Sequence, residues 1–346
     1  MEGWTQRGRP DYRARRYLSA VEAARFLGTT VEEVHRLVRE DRLPVQRASS
    51  GQQRFDMASL MPLASDRTKV AGSRRSRLAI GDTVQEVICA DASHMKELDD
   101  DSVHLMVTSP PYFNAKMYSS PPVDGDLGNV HSMEEWFSRI AAVWRETFRV
   151  LQPGRRAFIN LMNLPVRLDG GSYRTLNLTG RTVDLCEDIG FVFKRDIVWH
   201  KTNGVRAPFG TYPFPGGILL NNMHEFILEL EKPPRGRTPK YAHVTPEDRE
   251  ASRLDRDFWL SLKNSDVWQM NPEGSGDRRD HVAPFPIDLP SRLIRAFSYR
   301  RETVLDPFCG SGTTLVAASR LGRHGVGYEI VPDIAARAVE RLGHER

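Results

Sequence analysis

From residue 83 onward the apolar positions fall into short dense runs separated by amphipathic stretches. VQEVICAD (84–91) and SVHLMVTSP (102–110) predict buried strands, with residues 93–99 between them as a short helix. The capping box Ser132/Glu135 then opens a helix that puts Phe137, Ile140, Trp144, Phe148 and Leu151 on one face and stops at Pro153-Gly154. RRAFINLM, FVFKRDIVWH and EFILELEK predict further strands; TVLDPF and HGVGYEI predict two more, joined by the helix TTLVAASRLG. Strands alternating with helices imply an α/β domain around a mixed, mostly parallel sheet.

Residues 16–63 carry a different pattern. Ser19 with Glu22, and Thr30 with Glu33, each read as a helix-opening capping box, with Gly28 as the turn between. Ala23, Ala24 and Leu27 can then face Val34, Leu37 and Val38. A β-wing follows in Leu43-Pro44-Val45, the turn Ser49-Ser50-Gly51, and Arg54-Phe55. This helix-turn-helix plan resembles the MerR/excisionase-type DNA-binding module. The resemblance implies that His35, Arg36, Arg39 and Arg54 meet DNA. The expected organisation is a basic arm (1–15), this module (16–63), a basic linker (64–82) and a catalytic domain (83–346). Within the last, the Pro-, Gly- and Arg-rich stretch 201–280 breaks the alternation.

Charge sharpens that division. The net charge of +4 is uneven: residues 1–80 hold sixteen Lys/Arg against nine Asp/Glu, whereas the remainder is slightly acidic. A basic appendage suits an anionic polymer such as double-stranded DNA. Cys89, Cys186 and Cys309 are scattered, so neither a disulfide framework nor a structural metal is expected. No apolar run approaches membrane-spanning length and the N-terminus is charged, so the expectation is a cytoplasmic, nucleoid-associated protein with no membrane partner.

VLDPFCGSGTTL (304–315) reads as strand, glycine turn, helix. Gly310 and Gly312 allow close approach of a ligand, Thr313 opens the helix, and Asp306 at the strand end can accept from hydroxyl or ammonium groups. Glu329, nineteen residues beyond Gly310, is placed to accept from the two hydroxyls of a ribose. Leu315 stands where a dinucleotide fingerprint needs its third glycine, and no Gly-Lys-Ser/Thr is present. A nucleoside ligand without phosphate fits better, which points to S-adenosylmethionine.

TSPPY (108–112) completes the chemistry. An exocyclic base amine is a poor nucleophile because its lone pair is delocalised. Acceptors aimed at its N–H bonds draw the nitrogen towards tetrahedral geometry. The Ser109 hydroxyl and Pro110 carbonyl can accept, Pro110 and Pro111 stiffen the backbone, and Tyr112 offers a face for an extruded base.

Together SPPY and the glycine loop resemble the DNA amino-methyltransferases, in the circularly permuted order of the β group. The resemblance spans about residues 85–345 and implies a Rossmann-like methyltransferase domain, preceded by the small winged module. It places Asp91 ("ICADA"), Phe285 and Pro286 ("HVAPFPIDLPSRLI"), and Pro307, Phe308 and Ser311 of the loop at the cofactor, Lys201 ("IVWHKTN") at DNA, and target recognition in 201–280. Serine in first position resembles the N4-cytosine subgroup; N6-adenine is the alternative. Carbon-5 chemistry is disfavoured because no cysteine follows a proline. A non-catalytic DNA-binding regulator and a methyltransferase of RNA or protein amides are the competing readings. A cognate restriction endonuclease, or none, and a monomer or homodimer all stay open.

Overall fold

The computed structural model describes residues 17–20, 23–24, 31–47, 53–60, 74–113, 123, 125–130, 132–167, 173–202, 220, 222–236, 240–272 and 285–345. The chain forms two units, 1–70 with 111–140, and 71–110 with 141–346.

In the first unit, β1 (Tyr17–Leu18), β2 (Gln46–Arg47) and β3 (Gln53–Asp56) form an antiparallel sheet in the order β1-β3-β2. α1 (Val31–Arg39) and the short α2 (Met57–Leu60) accompany it. Leu18, Ala23, Ala24, Val34, Leu37, Leu43, Phe55 and Leu60 are its buried core. The first wing strand lies at 46–47 rather than 43–45, because Leu43 is drawn into that core and Val45 packs on it. Glu22, Gly28 and Thr30, and with them both capping boxes, lie outside the described residues.

Also in this unit are a 3-10 turn at Leu127–Asn129, capped by Asp126, and the start of α3 (Met133–Val150). Ser132 Oγ accepts from the Glu135 N–H at 3.3 Å, but the Glu135 carboxylate turns to Arg139. Half of the expected capping box forms.

The second unit is built on a nine-stranded sheet. Its strands are β4 (Arg74–Ile80), β5 (Thr83–Cys89), β6 (Val103–Thr108), β7 (Leu151–Leu161), β10 (Val192–Lys201), β11 (His224–Glu231), β12 (Val267–Met270), β13 (Thr303–Asp306) and β14 (His324–Tyr328). Their order is β12-β10-β11-β7-β6-β13-β14-β5-β4. The run β7-β6-β13-β14-β5 is parallel throughout. β11 runs against β7 and β10, and β4 against β5. A separate hairpin pairs β8 (Leu164–Arg167) with β9 (Tyr173–Leu176). The helices are α4 (Leu178–Ile189), α5 (Pro246–Ala251), α6 (Arg256–Asn264), α7 (Asp288–Phe297), α8 (Thr313–Arg320) and α9 (Pro332–Gly343). The α/β class and the mixed, mostly parallel sheet are as expected.

Three local expectations are corrected. Residues 74–80 are an edge strand and not linker, because Leu78 and Ile80 bury while Arg75 and Arg77 pair with Glu86. Residues 93–99 form turns and no helix: Arg149 of α3 takes the carbonyls of Met95 and Leu98, and Glu146 takes the Met95 N–H. Pro153-Gly154 does not end the helix, which stops at Val150. It lies inside β7, where the β6–β7 register shifts and Gly154, at φ 78°, gives its N–H to the Lys232 carbonyl on the other side.

The core on one side of the sheet gathers Leu105, Val107, Phe158, Ile197, Ile227 and Val304 under Leu289, Leu293 and Ile294 of α7 and Ala317 and Ala318 of α8. Each fully buried aliphatic side chain contributes roughly 1.5–3 kcal/mol. No helix among the described residues is long and apolar enough to cross a membrane.

Candidate active site

β6 leads into β7 on one side of it in the sheet, while β13 leads into β14 on the other. Neighbouring strands whose onward connections diverge leave a crevice at their carboxyl ends, the usual ligand position in open α/β sheets. Register brings four predicted positions to this edge: Ser109 after β6, Asp306 ending β13, Glu329 after β14 and Asp91 after β5. With strands about 4.8 Å apart, the four span roughly 15 Å.

Asp306 ties the two sides of the crevice together. Its carboxylate accepts from the Thr108 hydroxyl at 2.6 Å, the Thr314 hydroxyl at 2.6 Å and the Phe308 N–H at 3.1 Å. The strand end before SPPY and the glycine loop are thus joined through one side chain. Fully buried and spanning these donors, Asp306 shapes the loop. Burial pushes its pKa up to about 6, against the pull of the three hydrogen bonds. Between pH 3.8 and 6 the folded protein therefore holds more protons at this carboxyl than the unfolded chain, and the stability attached to it falls as pH rises. Thr314→Val removes one donor to the ionised form. Its destabilisation is expected to be about 1.5–3 kcal/mol at pH 7.5 and clearly smaller at pH 5, read from denaturant unfolding at both values.

The glycine turn is tightly specified. Gly312 has φ 83°, and a Cβ there would lie 3.3 Å from the Ala338 Cβ. Gly310 has φ 51° but faces open space, with nothing within 4 Å of a built Cβ. Its N–H donates to Glu329 Oε2 at 3.1 Å, and the Val331 N–H donates to Oε1 at 2.8 Å. The Glu329 carboxylate is therefore held against the turn. Leu315 replaces the third glycine without conflict because the space comes from β14. A Cβ on Gly327 would fall 2.9 Å from Leu315 Cδ1, and one on Gly325 3.3 Å from its Cγ. Arg341 of α9 braces the loop, donating to Thr313 Oγ1 at 2.9 Å and to Ser311 Oγ at 3.4 Å.

The other predicted residues divide. Asp91 is exposed and accepts from the Ser93 N–H at 2.8 Å. Pro307 is buried, and Phe308 stands edge-on to Trp144 at 5.9 Å. Phe285 and Pro286 are buried just before α7, Phe285 within the core. Pro110 is buried; Pro111 and Tyr112, both partly exposed, belong to the first unit. Burial raises the Cys309 thiol far above its ordinary range, so it is no thiolate nucleophile. His35, Arg39 and Arg54 lie at least partly exposed in the first unit, whereas Arg36 is held by Glu33 of its own helix at 2.6 Å and by Glu40 just beyond it at 3.3 Å. Lys201 pairs with the buried Glu225.

Sequence reasoning missed Thr108, Thr314, Arg341, Asn160 and Glu225. Asn160 had a signal, a polar residue inside the apolar run 157–161. At the opposite edge, His104, His243 and Glu302 lie within metal-ligating distance of one another. Arg155 supplies the cation there, contacting Glu302 and lying 3.4 Å from His243 Nε2. Chiefly through burial, His104 is kept neutral with a pKa of about 4, and its Nδ1 accepts from the Thr303 N–H.

With this geometry in view, residues 103–340 match the N6_N4_Mtase family, described as DNA methylase. The chain belongs to this family. Over 294 residues it is 32% identical to type II methyltransferase M.MjaI of Methanocaldococcus jannaschii, covering 75% of this chain and 92% of that one. The crystal structure of TTHA0409, a candidate DNA modification methylase from Thermus thermophilus complexed with S-adenosyl-L-methionine, is 34% identical. It superposes with a TM-score of 0.57 over 74% of this chain and 92% of that one. The cytosine-N4-specific PvuII DNA methyltransferase, at 18% identity, shares the fold with a TM-score of 0.55, over 75% of this chain and 86% of that one. In this DNA methylase, then, the matched family region contains both the Ser109 strand end and the glycine loop.

Proposed function

We propose that the protein is a site-specific DNA methyltransferase that methylates the exocyclic N4 amine of cytosine in a base turned out of the duplex. The observation that supports this most is the Thr108–Asp306 hydrogen bond, which ties the strand end before Ser109 to the strand end before the glycine turn. S-adenosylmethionine, when bound, supplies the activated methyl group. Gly310 leaves room for its nucleoside, and Glu329 and Asp91 stand at the ends of the two strands beyond the loop.

The Ser109 hydroxyl gives its proton to the Asn160 carbonyl at 3.2 Å and so presents lone pairs to a substrate amine. The Pro110 carbonyl is the second acceptor, and Tyr112 is the stacking face for the extruded base. After transfer the nitrogen returns to neutrality by losing a proton to solvent. Serine in the first position favours cytosine; adenine N6 is the alternative. The module at 16–63 adds affinity for double-stranded DNA through His35, Arg39 and Arg54, with 201–280 reading the target.

Incubation with labelled S-adenosylmethionine and duplex DNA, followed by digestion to nucleosides, is expected to yield N4-methylcytosine. N6-methyladenine alone would replace the base assignment and leave the class intact. No transfer to DNA, with transfer to RNA or protein, would overturn both.

A further inference from the structure

The active edge has two halves. β13, β14 and β5 carry the glycine loop, Glu329 and Asp91. On the other side of Ser109 lie β7, β11 and β10, and here a line of polar side chains crosses three strands. Asn160 is opposite Ile227, whose neighbour on the same face is Glu225. Glu225 is opposite Trp199, whose neighbour on that face is Lys201. Period-two alternation therefore lines up Asn160, Glu225 and Lys201 across three strands on one face.

The side chains connect. Lys201 Nζ pairs with Glu225 Oε1; Asn160 Nδ2 donates to Glu225 Oε2 at 2.5 Å and lies 3.5 Å from Ser109 Oγ. Asn160 is 2% and Glu225 5% exposed, so this is a built network and not a solvated surface pair.

We propose that Glu225, backed by Lys201, is a positioning residue that fixes the hydrogen-bond polarity of Ser109. This rests on the methyl-transfer reading above and names the chemistry that Ser109 selects. An ammonium can only donate, and an ionised carboxylate can only accept. Between Lys201 and Asn160, Glu225 therefore holds the amide with its NH₂ turned inward. Asn160 presents donors to Ser109 Oγ from its side chain and an acceptor to the Ser109 hydroxyl proton from its backbone. The serine is locked as a donor to the protein, so what it offers the substrate is an acceptor. A base amine, which brings N–H groups, is matched. A keto oxygen at the same ring position meets lone pair against lone pair and is rejected. The network thus makes the site selective for amino over keto bases, cytosine over uracil or thymine.

The test uses the full-length protein, saturating duplex DNA and labelled S-adenosylmethionine in single turnovers. In Glu225→Gln the side chain cannot face both neighbours correctly, since its own NH₂ must meet either Lys201 or the Asn160 amide. The rate is expected to fall about 10–100-fold, the scale of a small misplacement of a reacting group, with S-adenosylmethionine affinity unchanged within twofold. Lys201→Met added to Glu225→Gln removes the conflict, and the double variant is expected to be at least about fivefold faster than the single one. A purely structural contribution would make the double variant slower. If Glu225→Gln does not fold, Asn160→Leu gives the same readout: a slowed chemical step with cofactor affinity retained.

A single variant within twofold of wild type, or a double variant no faster than the single, would overturn the proposal. Where Asn160→Leu stands in, a rate within twofold of wild type would do so. Wild-type protein that methylates no DNA base would instead overturn the functional reading itself.

Discussion

Ser109→Ala is expected to slow methyl transfer to DNA about 10²–10³-fold, the typical cost of removing one preorganised hydrogen-bonding group from a reaction centre. The change deletes the acceptor for one amine N–H and leaves the Pro110 carbonyl to act alone, so the nitrogen's lone pair stays delocalised. It should not disturb the cofactor loop. The Thr108–Asp306 and Thr314–Asp306 bonds that join the two strand ends do not pass through the serine side chain. Binding of S-adenosylmethionine, followed by fluorescence quenching or calorimetry, is therefore expected to stay within twofold. A single-turnover rate within threefold of wild type would remove Ser109 from the chemistry.

The second large effect belongs to Gly310→Leu. At φ 51° a side chain costs roughly 1–2 kcal/mol in backbone strain, a fall of a few degrees in Tm for a protein of this size. No protein atom lies within 4 Å of the new Cβ, so the fold accommodates it, but the side chain fills the open space above the turn. S-adenosylmethionine affinity is expected to drop at least about 100-fold, because the nucleoside and the leucine would need the same volume. Gly312→Ala is the control. Its Cβ would press on Ala338 at 3.3 Å and φ 83°, so it should lower Tm with a smaller loss of affinity per unit of lost stability. Gly310→Leu protein that bound the cofactor normally would show that this loop is not its cradle.

Several features followed from local chemistry alone. Apolar runs of strand length predict strands, and all seven appear, as β5, β6, β7, β10, β11, β13 and β14. Pro-Pro after a strand, and glycines at the head of a helix, impose backbone shapes wherever they occur. For this reason SPPY and the glycine turn were readable before any fold was known. Other local signals misled where tertiary partners competed for the same groups. Residues 93–99 carry helical spacing, yet their backbone is claimed by Arg149 and Glu146. Arg74–Ile80 looks like linker because three arginines dominate it, but two of them are neutralised by Glu86 once the strand has docked.

Local spacing along the chain sets the candidate groups and the backbone geometry around each. Which of them meet follows from long-range packing. Thr108 and Asp306 are 198 residues apart, and they touch because sheet order sets β6 beside β13. Asn160, Glu225 and Lys201 line up because antiparallel register puts alternate residues of three strands on one face. Spacing within a strand or turn is written in the chain, whereas strand order and register depend on how the whole sheet buries its apolar surface. That is why the clasp that Thr108 and Asp306 make between two motifs is absent from the local pattern of either one.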